Sequence, residues 1–61
     1  MGEYEYEIVF LDEDGHVADK DMYTATAENE EFARDEAETY ADSEADKYGY
    51  ADHEITLIDA H

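Results

Sequence analysis

The 61-residue chain has no cysteine, which excludes disulfides and thiolate metal sites. Its cationic side chains are only Lys20, Arg34 and Lys47, set against twenty Asp and Glu, for a formal net charge of −17. A surface so negative repels nucleic acid and anionic membrane, and leaves basic proteins, cations or concentrated salt as partners. No apolar run approaches the ~18 residues of a membrane span. The only serine, Ser43, falls inside a predicted helix, so an acyl-transfer triad has no nucleophile. The opening Met1-Gly2-Glu3-Tyr4-Glu5 is acidic and alternating, unlike a secretory signal, and Tyr6 stands where a myristoylation signal needs Ser or Thr. The expectation is a cytoplasmic, non-enzymatic protein without cofactor or metal.

What the chain does have is patterning. Hydrophobic residues make up 43%, and eight residues are aromatic, which opposes disorder despite the charge. At this length one domain, 1–61, is the limit, and it buries only about 60% of the surface its unfolded chain exposes. Glu3–Leu11 alternates with period two and reads as a strand, with Tyr4, Tyr6, Ile8 and Phe10 on one face and Glu3, Glu5, Glu7, Val9 and Leu11 on the other. Asp12-Glu13-Asp14-Gly15 reads as a turn. A second strand lies within His16–Ala27, clearest over Met22–Ala27, whereas Val17–Asp21 reads equally as strand or loop. Asn29 suits a helix N-cap, and Glu30 and Glu31 suit the first turn. The helix is predicted over Glu30–Tyr48, with Ala33, Ala37, Tyr40, Ala41, Ala45 and Tyr48 on its inward face and Gly49 as its stop. Tyr50–Asp59 reads as a third strand. The expected fold is α+β, β-β-α-β: a three-stranded antiparallel sheet in the order 2-1-3 with one helix on one face, joined by a right-handed crossover.

On the helix, Glu31, Asp35, Glu38, Asp42 and Asp46 follow one another at spacings of four, three, four and four and read as a face opposite the alanines. At 1.5 Å per residue they place a carboxylate about every 5–6 Å along ~22 Å. Like charges at i,i+4 each cost a few tenths of a kcal/mol, so the stripe asks for a reason. It can imitate phosphates to a protein that binds nucleic acid, with affinity falling steeply with salt. It can be a solvated face, since excess Asp and Glu with few Lys resembles the composition of halophilic proteins. It can also bind cations or act as an acidic chaperone-like surface.

The stripe Glu31, Asp35, Glu38, Asp42 and Asp46, together with Glu3, Glu5 and Glu7 on a compact sheet, resembles the small phage-encoded DNA-mimic inhibitors of the anti-CRISPR and anti-restriction type. The resemblance covers most of the chain and lies in charge placement, not in a motif. It implies occlusion of a basic nucleic-acid channel, in a nuclease or CRISPR effector, by a protein without catalytic activity.

Other candidates weigh less. Asp12, Asp14, Gly15 and Asp21 match part of an EF-hand loop, but its first position falls on Phe10 and its flanks read as strands, which leaves an acidic hairpin turn. His16, His53 and His61 have no ligand spacing and read as solvated. Tyr4, Tyr6, Tyr23, Tyr40 and Tyr48 read as core or rim, and Tyr50 as an exposed anchor for Arg among the acids. Val9, Leu11 and Ile58 leave an apolar patch on the sheet face away from the helix; it is either partly covered by Met22 or the contact face of a homodimer.

Overall fold

A computed structural model describes residues 2–61. The order is β1 (Gly2–Leu11), β2 (Val17–Ala27), α1 (Glu30–Tyr48) and β3 (Asp52–Ala60). The strands form one sheet in the order β2-β1-β3, with β1 antiparallel to both neighbours. This is the expected α+β arrangement, 37 × 18 × 13 Å in extent. No helix among the described residues is long and apolar enough to cross a membrane.

Alternation in β1 decides the layering. Tyr6, Ile8 and Phe10 face the helix and are the largest fully buried side chains; each contributes roughly 1.5–3 kcal/mol of burial. Opposite them the helix offers Ala33, Ala37 and Ala41, all fully buried. Small side chains at this spacing let the helix approach the aromatic and branched side chains of β1. Asn29 Oδ1 accepts the Phe32 amide at 3.1 Å and starts the helix. Gly49, at φ 74°, ends it in a left-handed conformation that other residues adopt only at a cost.

β2 begins at Val17, which resolves its uncertain first half as strand, with a register shift that leaves Ala18 without a partner on β1. Asp19 and Asp21 there stand opposite Phe10 and Ile8, in the inward row of Tyr23 and Ala25. Their carboxylates accept hydroxyls from Tyr50 and Tyr40 respectively, so acids occupy the rim of the core without orphaned oxygens. The Asp12–His16 hairpin is as expected: Asp12 Oδ1 accepts the amides of Asp14 and His16 at 2.9 and 3.0 Å. β3 begins two residues later than predicted, at Asp52, because the chain leaves Gly49 through a bend that docks Tyr50 on Phe10. A register shift between Glu5 and Tyr6 leaves Ile58 without a partner on β1.

Candidate functional site

The acids of the helix do not form one uniform face. Glu31, Asp35, Asp42 and Asp46 are exposed, whereas Glu38 is half-buried. Glu38 and Asp42 in the middle of the stripe turn toward His53 on β3, whereas Asp35 borders the β2 side of the helix. Arg34 offsets part of the charge in the middle of the stripe, and His53 meets two of its carboxylates. Glu38 holds Arg34 through Oε1 at 3.8 Å and His53 through Oε2 at 3.2 Å. Asp42 Oδ1 lies 3.8 Å from the same imidazole.

His53 is a correction to the sequence reading. It is not solvated: its side chain is only 16% exposed. Cross-strand pairing places it opposite Phe10, in the inward row of Ile55 and Leu57, with its ring tilted 6.5 Å from the Phe10 ring. The signal was present, because the alternation that sends Ile55 and Leu57 inward sends His53 inward as well. His16 and His61 are exposed as expected, but each histidine meets two carboxylates: His16 with Asp12 and Asp14, His61 with Glu5 and Asp59, and His53 with Glu38 and Asp42.

Glu3, Glu5 and Glu7 project from the sheet face that the helix leaves open, so they do not join the helix stripe in one patch. They share the open face with Glu54, Asp52 and Asp59 from β3, all set against β1. Glu5 stands directly opposite Asp59, a repulsive arrangement, and His61 Nε2 sits 3.3 and 3.8 Å from their carboxylates. Val9 and Leu11 are half-buried in this face, whereas Met22 and Ile58 are about half exposed, at 53% and 52%.

The tyrosines are redistributed as well. Tyr50, expected to be exposed, is half-buried, stacked on Phe10 at 4.8 Å and bonded to Asp19 at 3.2 Å. Tyr48, expected inward, is 59% exposed, with Lys47 Nζ 5.2 Å from its ring centroid. On the β2 side of the helix, Tyr23 and Tyr40 stack at 4.6 Å. With Asp35, Glu36, Thr39 and Ser43 they line a shallow open groove of about 480 Å³. Tyr23 donates to Glu36 at 3.1 Å. The groove presents two aromatic rings and two carboxylates and no cation, which is the chemistry that receives a guanidinium. Sequence reasoning placed both rings inward and missed the groove they edge, because it forms only where α1 and β2 meet.

Burial and neighbouring carboxylates act together on the tyrosines. Tyr40 is pushed up to about 12, first by its bond to Asp21 and then by burial. Tyr6, Tyr23 and Tyr50 are also raised, in each case first by burial; Glu30, Glu36 and Asp19 respectively add to it. These groups stay neutral hydrogen-bond donors at ordinary pH, and none is tuned toward acid–base work near neutrality.

No family model, curated protein or solved structure matches this chain.

Proposed function

We propose that this protein is a non-catalytic polyanion mimic that occupies the basic surface of a nucleic-acid-binding protein such as a nuclease or CRISPR effector, in the manner of anti-CRISPR and anti-restriction inhibitors. One observation carries the reading. Seventeen net negative charges lie along a 37 Å axis, roughly one per 2.2 Å, against about one per 1.7 Å of duplex DNA. A folded rod 18 × 13 Å in section thus approaches the axial charge density of a duplex. Its acids point outward both from the open sheet face and from the exposed side of the helix, which suits a channel that encloses its ligand better than a flat surface. Glu31, Asp35, Asp42 and Asp46 would stand in for phosphates, Glu3, Glu5 and Glu7 would meet the opposite wall, and the Tyr23–Tyr40 groove would receive an Arg. The site of action would be the cytoplasm, that of the host if the protein is viral.

The test is competition. Labelled duplex DNA is displaced from members of a panel of nucleases and CRISPR effectors by the protein, and displacement should weaken steeply as salt rises. Asp35→Lys with Asp46→Lys, both exposed, should cost at least about tenfold, because each lost attraction becomes a repulsion. A panel from which no duplex is displaced, or a double variant that competes normally, rejects the reading.

A second reading rests on a specific observation: the acids are not confined to one surface. They occupy the Asp12–Asp14 turn, the open sheet face and the helix alike. Such a distribution is what adaptation to brine would produce in a small acidic domain of a halophile or its virus, with its role unassigned.

A further inference from the structure

We infer that Glu38, Asp42 and His53 form a binding site for a divalent transition-metal ion of the zinc class. Three features of the fold build it. The i,i+4 spacing sets Glu38 and Asp42 side by side on α1. The inward phase of β3 brings His53 up between them from a different element. The donor atoms then lie within 4.8 Å of one another, with His53 Nε2 3.2 Å from Glu38 and 3.8 Å from Asp42. A tetrahedral ion with bonds of 2.0–2.2 Å separates its ligands by roughly 3.4 Å, so binding needs only small side-chain adjustments. Three protein ligands leave a fourth position for water.

Two further observations single out this cluster from the other places where a histidine meets acids. His53 is largely covered and lies against the Phe10 ring, so its imidazole is held in the interface between strand and helix. Arg34 lies 3.8 Å from the oxygen of Glu38 that does not face His53, which leaves Oε2 free to meet an ion. The Asp12–Asp14–His16 group lies within one turn, and His61 is half exposed on the open face. The site would also tie α1 to β3 in a chain that has no cysteine and whose largest fully buried side chains among the described residues are Tyr6, Ile8 and Phe10. One nitrogen and two oxygen donors favour Zn²⁺, Ni²⁺ or Co²⁺ over Mg²⁺ and Ca²⁺. This inference does not depend on the partner proposed above.

The experiment is a titration of the apo protein with Co²⁺ in excess Mg²⁺, which occupies the diffuse atmosphere around the acids, followed by visible absorption and thermal melting. One Co²⁺ per chain, with the intense bands of a low-coordinate site and a raised melting temperature, is expected. His53→Gln should abolish both signals, and His16→Gln and His61→Gln should keep them. Asp42→Asn, at an exposed carboxylate, should fold normally and bind at least about tenfold more weakly, which keeps the test valid if His53→Gln is unstable. The weak spectrum of six-coordinate, loosely held cobalt, binding that follows His16 or His61, or an Asp42→Asn protein that binds like the parent would each overturn the assignment.

Discussion

Tyr40 on the helix donates its hydroxyl to the carboxylate of Asp21 on β2, closing the seam between the two elements. The same ring stacks on Tyr23, whose hydroxyl goes back to Glu36 on the helix, so the seam is tied in both directions. A charged acceptor makes such a bond stronger than a neutral pair. Tyr40→Phe keeps the stack and removes the donor. Its expected cost is about 1.5–3 kcal/mol, read as a lower urea midpoint at unchanged slope.

The raised tyrosines give the protein an alkaline limit. The folded state holds the Tyr40 proton up to about pH 12, above its ordinary value of 10.0. Stability from this group is therefore complete below pH 10 and is lost as pH rises through 12. Tyr6, Tyr23 and Tyr50 act in the same direction. Melting temperature should fall across that window, in step with tyrosinate absorbance. A protein whose tyrosines all ionise near 10 without unfolding contradicts the seam as described.

The alanine row sets how close the helix comes to the sheet. Ala37 is fully buried in the cluster that holds Tyr6 and Ala25. Ala37→Leu should force the helix off the sheet and destabilise by about 1–3 kcal/mol despite its added apolar area. Chemical denaturation of the two proteins side by side checks this, and a stabilised variant would mean that the core has room it should not have.

The helix ends can be tested separately from the core. Asn29→Ala leaves the Phe32 amide without its acceptor and should cost about 1 kcal/mol. Gly49→Ala meets no steric neighbour but must adopt φ 74°, at a cost of about 1 kcal/mol. Both losses should appear in thermal melts, and the two should add, because the caps lie at opposite ends of the helix.

The open sheet face decides self-association. Val9, Leu11, Met22 and Ile58 are apolar, but Glu3, Glu5, Glu7, Glu54 and Asp59 lie among them. Two copies brought face to face repel until salt screens them. Sedimentation should show a monomer at low ionic strength, with any dimer appearing only as salt rises. A stable dimer at low salt would require a different contact.

Most of the architecture was legible because β1 alternates cleanly and α1 carries both of its caps. The first half of β2 was not, since Asp19 and Asp21 occupy inward positions where alternation calls for apolar side chains, and the tyrosines that satisfy them come from distant segments. The same limit applies to the site. The stripe could be counted along the helix, but only the third dimension shows Glu38 turned toward His53, Tyr50 tucked onto Phe10, and Glu3, Glu5 and Glu7 facing away from the helix acids.

Thermal melts followed by far-UV circular dichroism across a KCl series test the central claim most directly. If the acids serve recognition, the protein is folded and melts cooperatively near ~0.15 M, where the Debye length is still about 8 Å. If it stays unfolded there and folds only around 1 M KCl, where screening has shortened that length to about 3 Å, the charge is adaptation to brine and the account of a polyanion mimic is contradicted.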